Sequence, residues 1–455
     1  MSAANLREAR NNRSRSIVAG AGLACLIAAL PSLLHAQSGG ERWLGTWATS
    51  EVARPQTPPT PMQGPPPFMR NECPAGAPAA SGFLHFTNQT LRQIVHASIG
   101  GNKVRAVLSN GYGTTPLTVG AAQIALRDAA SAVKEGSSRP LTFGGRSTFS
   151  IPPGAMAYSD PVDLAIPQMA DVAIDLYLPG TTNIATPLTM HTGAFQTNYV
   201  SETGNHVGAA KLPVVATTQS WFVLYRLEVL ASDATVGLVT YGDSITDGTR
   251  STPDTNSRWP DRLVQRMLTR PNPLRIGVMN AGIAGNRVLS DGAFQAGVNA
   301  LARFEHNVLA QPGVTHVVFM EGINDIGAAL QNPTPTAEDI IAGHKQIIER
   351  AHARGLKIYG ATLTPFYGAA YYSEVGEQKR VAVNEWIRAG HAYDAVIDFD
   401  KATRDRGDPK RLLAAYDSCD HLHPNDAGYQ AMADAVDLGL FGSQPAPTRT
   451  SRPVK

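Results

Sequence analysis

From Ala234 onward, apolar segments of strand length alternate with segments of helical period, and no other feature limits the fold as tightly. The runs "TVGLVTYGDS", "LRIGVMNAG", "THVVFMEG", "LKIYGATL" and "AVIDF" predict five strands. Residues 258–270, 299–310, 337–354, 377–389 and 424–436 predict helices, the last opening with a proline in its first turn. Strict alternation of this kind implies a parallel sheet covered on both faces, with right-handed crossovers. In such sheets functional groups gather on the loops at the carboxyl ends of the strands.

Ahead of Ala234 the pattern is different. Between residues 87 and 230, "LRQIVHASI", "KVRAVLSN", "AAQIALRD", "DVAIDLYLP" and "WFVLYRLEVL" alternate or run apolar over short lengths, punctuated by Gly, Pro and Asn. Several short antiparallel strands imply a β-sandwich or jelly-roll module. "WLGTWATS" reads as an earlier strand, and residues 55–78 hold nine prolines, an irregular or polyproline-like stretch.

At 455 residues the chain is long enough for two or three domains. The first 36 residues carry Arg7, Arg10, Arg13 and Arg15, then the apolar run "IVAGAGLACLIAAL" and "PSLLHAQ". A basic start, a run too short for a comfortable membrane span and a small-residue site after Ala36 predict a cleaved signal peptide, with the mature chain secreted or periplasmic and without a membrane span. Cys25 has no leucine three residues before it, so a lipoprotein reading is rejected. The expected divisions are a signal peptide at 1–36, a Pro-rich segment with a first strand at 37–82, a β-sandwich-like module at 83–232, the alternating strand–helix domain at 233–442 and a disordered tail at 443–455. Without the leader the chain holds 35 basic and 36 acidic side chains, and nothing in that balance suggests a nucleic-acid partner. Cys73 and Cys419 are the remaining cysteines; in an oxidising compartment they can pair, or stand as two free thiols.

Four polar segments follow predicted strands. "GDS" ends the first, "NAGIAGNR" follows the second, "EGIND" the third, and "CDHLHPNDAGY" comes after the fifth and leads into the last helix. Asp420 and His423, three apart in a turn, can face the same way, so that the carboxylate fixes the ring tautomer and the free nitrogen takes a proton from the Ser244 hydroxyl. An acyl-transfer site also needs donors for a developing oxyanion. The backbone N–H groups of Ser244 and Gly285 and the side-chain amide of Asn324 stand on three of the four loops.

"GDSITDG", "NAGIAGNR", "GIND" and "DHLHPN" resemble, in order and spacing, the blocks of the SGNH hydrolases, the GDSL esterases and lipases. The resemblance covers about residues 236–438. It implies a flavodoxin-like, five-stranded three-layer domain. Ser244 would be its nucleophile, His423 the general base and Asp420 the orienting carboxylate, with Ser244, Gly285 and Asn324 as the oxyanion hole. The third block departs from the family by carrying Ile323 where a small or polar residue is common; the asparagine stays in place. Thr246 occupies the second glycine's place of G-x-S-x-G, which argues against a nucleophile elbow of the α/β-hydrolase type.

The expected activity is a serine esterase removing short acyl groups, acetyl among them, from a small-molecule or polysaccharide ester, with no metal or organic cofactor. A lipase, thioesterase or acyltransferase would use the same residues, and a non-catalytic polysaccharide-binding protein would have lost one of the four blocks. His421 beside His423 could suggest a metal pair, but no companion ligands stand at the needed spacing. Asp243 reads as a ligand of its own loop backbone, Asp247 and Arg287 as supporting groups, and Trp259 as core. His191 and Tyr199, polar groups in an aromatic-rich stretch, could reach the catalytic rim, with loop packing the favoured account.

Overall fold

The computed structural model describes residues 40–54, 85–182, 187–232, 235–292, 296–329 and 333–442. The segment read as a signal peptide, most of the Pro-rich segment with Cys73, and the tail lie outside the described residues. Cys419 is disulfide-bonded. No helix among the described residues is long and apolar enough to cross a membrane.

The second half forms a five-stranded sheet in the spatial order Ile276–Gly282, Val236–Gly242, Val314–Met320, Lys357–Ala361, Ala395–Ile397, every pair parallel. Numbered along the chain this order is 2-1-3-4-5, the flavodoxin-like winding. Fully buried Leu238, Val239, Val317, Val318 and Ile358 fill the strands from both sides. That is why they read as continuous apolar runs and not as alternation.

The helices depart from the sequence reading at their ends. Asn425 accepts from Gly428 N and caps the last helix, Asp426–Ala435, so Pro424 lies before the cap and not in the first turn. Side-chain capping fixes the start more strongly than the tolerance of proline at a first turn. Likewise Ser373 caps a helix running Glu374–Ala389, one turn earlier than its apolar residues suggested. The helix Ala300–Phe304 widens into a π-turn at Glu305–Leu309, where Tyr225 donates to the His306 carbonyl at 2.7 Å.

The first half is antiparallel. Beside two smaller sheets, one sheet orders Glu41–Ala48, Leu224–Ser232, Gly101–Ser109 and Val162–Ile166; a second has six strands, with Thr87–Ala97 and Ala170–Thr181 at its centre. Their inner faces share one core, in which Leu44, Val104 and Leu227 meet Leu91, Val95 and Leu176.

The two halves meet along the edge strand Ile276–Gly282. Ser98 Oγ accepts from Val278 N at 2.9 Å, and the strand Glu41–Ala48 packs against the same edge, which covers a row of otherwise open backbone groups. Contact here is backbone to backbone: a Cβ on Gly277 would lie 2.3 Å from the Gly45 carbonyl oxygen. Gly277→Ala is therefore expected to force the strands apart and to destabilise the protein by about 1–3 kcal/mol, as overpacking does. The urea midpoint checks this, and an unchanged midpoint would show that the seam yields without cost.

Candidate active site

The strand Val236–Gly242 runs into Asp243, which is still extended and whose Oδ1 accepts from Ile245 N at 3.0 Å. That bond caps a single helical turn, Ser244–Asp247, which Gly248 closes with a φ of +99°. The turn lies flat across the ends of the strands. A Cβ on Gly282 would stand 2.2 Å from Asp247 N, and one on Gly242 2.3 Å from the Met320 carbonyl oxygen. Asn280 Nδ2 holds the turn by donating to the Thr246 carbonyl at 2.8 Å, and Tyr429 Oη donates to the Thr249 carbonyl at 2.6 Å.

The loop bearing the imidazole is bent by two residues in left-handed conformation, Cys419 (φ +83°) and His421 (φ +61°). Asp417 stabilises that bend by accepting from Cys419 N, His421 N and the His421 ring. His421 thus braces the loop. Asp420 Oδ1 accepts from Leu422 N at 3.0 Å and His423 N at 2.8 Å. Its Oδ2 accepts from His423 Nδ1 at 2.8 Å and from Arg250 Nε at 3.1 Å. His423 Nε2 lies 2.8 Å from Ser244 Oγ.

Protonation follows from these contacts. Burial by itself would raise Asp420, but the His423 ring and the His423 and Leu422 amides hold its carboxyl well below the usual carboxylate range. An ionised Asp420 can only accept, so Nδ1 carries a proton; in the neutral ring Nε2 is then the acceptor and the Ser244 hydroxyl donates to it.

Gly285 occupies the loop after Ile276–Gly282 with a φ of +78°, a conformation that favours glycine. Asn324 sits in the short helix Ile323–Gly327, where its Nδ2 donates to the Asn286 carbonyl at 3.0 Å, tying the second and third loops together. An amide has two N–H groups, and this bond uses one. Tyr371 Oη donates to Asn324 Oδ1 at 3.4 Å.

Beneath the rim lies a group of buried acids unlike Asp420. Burial pushes Asp243 up to about 7 and Asp325 up to about 6, although Val288 N and Leu289 N both donate to Asp325. Burial also pushes Glu321 far up; Arg303 Nη2 stands 3.6 Å from it, beyond hydrogen-bonding distance.

Arg303 was not legible as a site residue. It is 3% exposed and donates to Asn286 Oδ1, the Ala281 and Gly242 carbonyls and Ser50 Oγ. Its one sequence signal is an arginine on the same helical face as Ala300. His191 is a correction. It does not pack within a loop but ends the strand Leu188–His191 and bonds Asp247. Arg287 donates to the Ala328 carbonyl, Trp259 is fully buried against Phe399, and Tyr199 accepts from Arg127 away from the rim.

The fold is thus a three-layer α/β domain with a serine, an imidazole and a carboxylate joined on its carboxyl rim. Residues 240–431 match the model of the GDSL-like lipase/acylhydrolase family: this part of the chain is an SGNH-type hydrolase domain. Among solved structures, the chain is similar to a G-D-S-L family protein from Desulfitobacterium hafniense DCB-2 at 22% identity, covering 44% of this chain and 97% of that one, with a TM-score of 0.34. It is also similar to the aryl esterase of M. smegmatis (17%, 44% and 95%, 0.34). A variant of an acetyl-xylooligosaccharide esterase from Geobacillus gives 23%, 44% and 91%, and 0.34. No curated protein matches.

The raised Asp243 makes a prediction about stability. An unfolded chain releases this proton near pH 4, whereas the fold retains it to about pH 7. Between those limits the unfolded state sheds a proton that the folded state keeps, so this group's contribution falls as pH rises. Asp243→Asn keeps the cap and removes the ionisation. Its urea midpoint relative to the parent should rise from pH 5 to pH 8; a pH-independent difference would mean that the carboxyl ionises normally.

Proposed function

We propose that this protein is an exported serine esterase that removes short acyl groups, acetyl foremost, from a carbohydrate or similar small ester. The carrying observation is the unbroken chain from Asp420 through His423 to Ser244, with both links at 2.8 Å. In the reaction Ser244 Oγ attacks the ester carbonyl while His423 Nε2 takes its proton. The tetrahedral oxyanion is met by the Ser244 and Gly285 backbone N–H groups and the free N–H of Asn324. His423 returns the proton to the leaving alcohol, and water, deprotonated by the same ring, clears the acyl-enzyme.

Burial supports the short acyl group: Ser244 and Asn324 are each 5% exposed, so little more than the ester itself reaches the hydroxyl. The loop after Lys357–Ala361 supports the carbohydrate alcohol. It runs from Tyr371 at Asn324 to Gly368 against His421, and carries the half-buried ring pair Tyr367 and Tyr372, centroids 4.7 Å apart. Such rings suit the apolar face of a sugar. The basic, apolar leader read in the sequence supports export. No metal or organic cofactor enters this chemistry.

Ser244→Ala should abolish turnover of p-nitrophenyl acetate and of acetylated xylan while the circular dichroism stays unchanged. Retained hydrolysis would refute the nucleophile, and a preference for long-chain esters in the parent would replace the esterase reading with a lipase.

A further inference from the structure

We infer that His191, supplied by the β-rich half of the chain, is a positioning residue for the nucleophile, so that this half is part of the esterase machinery and not a detachable substrate-binding module. The inference rests on the reading of Ser244 as nucleophile.

His191 is 2% exposed, and both of its ring nitrogens face oxygen. Nδ1 stands 2.7 Å from the Ser50 carbonyl and Nε2 stands 3.0 Å from Asp247 Oδ1. A carbonyl only accepts, so Nδ1 carries a proton. The second bond then needs a proton on Nε2, where an imidazolium faces a carboxylate in a charge-assisted bond, or on Asp247, where a carboxylic acid donates to a neutral ring; either way the two side chains share a buried hydrogen bond. Asp247 closes the helical turn that Ser244 opens, so a pull on its carboxylate is a pull on the turn that aims Oγ. The remaining oxygen, Oδ2, has no hydrogen-bond partner among the described residues, which leaves His191 as the group fixing this side chain. Gly193, two residues further along the same strand end, lets the backbone close on that oxygen: a Cβ there would lie 2.6 Å from it.

The bond is also one link in a belt. Asn324 donates to Asn286, whose side chain accepts from Arg303 at 2.8 Å; Arg303 donates to Ser50 Oγ at 3.2 Å; Ser50 accepts from His191, and His191 reaches Asp247. The belt therefore runs from the oxyanion amide on one side of the ester to the nucleophile's turn on the other, and two of its members, Ser50 and His191, come from the β-rich half. A displacement of about 1 Å in such a frame is enough to cost on the order of 10²-fold in rate. The loss falls on the reacting geometry and not on the capture of substrate.

The test uses the full chain with His191→Gln and Asp247→Asn, singly and together. Competent sites are counted by the burst from a p-nitrophenyl phosphonate, and turnover of p-nitrophenyl acetate is expressed per site. This reporter has no polymer for a binding module to hold. Each single variant is expected to lose about 10- to 100-fold in kcat with KM within about twofold, and the double variant to be no worse than the poorer single one. A kcat per site equal to the parent's overturns the inference. So does a loss confined to KM or to the number of sites, or additive losses in the double variant. If His191→Gln does not fold, Asp247→Asn decides alone, since it replaces the carboxyl group by an amide of the same shape. Ser244→Ala separates the two readings: an active Ser244→Ala removes the nucleophile itself, whereas an inactive one beside a fully active His191→Gln removes only the role given to His191.

Discussion

Two strand ends without side chains govern the site. Gly242 and Gly282 pair in register at the carboxyl edge of the sheet, and neither leaves room for a Cβ beneath the turn Ser244–Asp247. Because the turn can lie down on them, Ser244 is raised toward His423 instead of being carried away along a strand. Everything else on the rim is arranged around that close approach. Asp243 caps the turn, Asn280 holds its Thr246 carbonyl, Tyr429 holds the Thr249 carbonyl just beyond it, and Arg303 ties the Gly242 carbonyl to the neighbouring loop.

The acids divide by environment. Asp420 has backbone amides, a guanidinium and an imidazole on its two oxygens, and it stays ionised. Asp243, Glu321 and Asp325 lie deeper, and burial outweighs the few donors they have. One carboxylate is thus available to orient an imidazole while three neighbours are held toward neutrality. In the proposed reaction the positive charge that develops on His423 is met by the carboxylate bonded to its Nδ1.

Much of this was legible in the sequence, for local reasons. Alternating strands and helices announced the parallel sheet, because burial on both faces writes itself as apolar runs such as Leu238–Val239 and Val317–Phe319. The four polar blocks pointed to Ser244, Gly285, Asn324, Asp420 and His423, because strand-end loops carry chemistry. The missing parts are non-local or depend on competing end signals. Nothing near His191 in the chain betrays a partner 56 positions away. Arg303 looked like one more helical arginine, since burial of a cation is decided by which carbonyls converge on it. Pro424 and the apolar period of 377–389 misled the helix boundaries because side-chain caps, Asn425 and Ser373, set the first turns.

The central claim is that one hydroxyl, activated by one imidazole, carries the acyl group. The direct measurement is to inactivate the full chain with a p-nitrophenyl phosphonate and map the adduct by peptide mass. The account expects a single stoichiometric adduct on Ser244 whose formation falls sharply in His423→Ala. An adduct on another residue, or modification of Ser244 at an undiminished rate without His423, would contradict it.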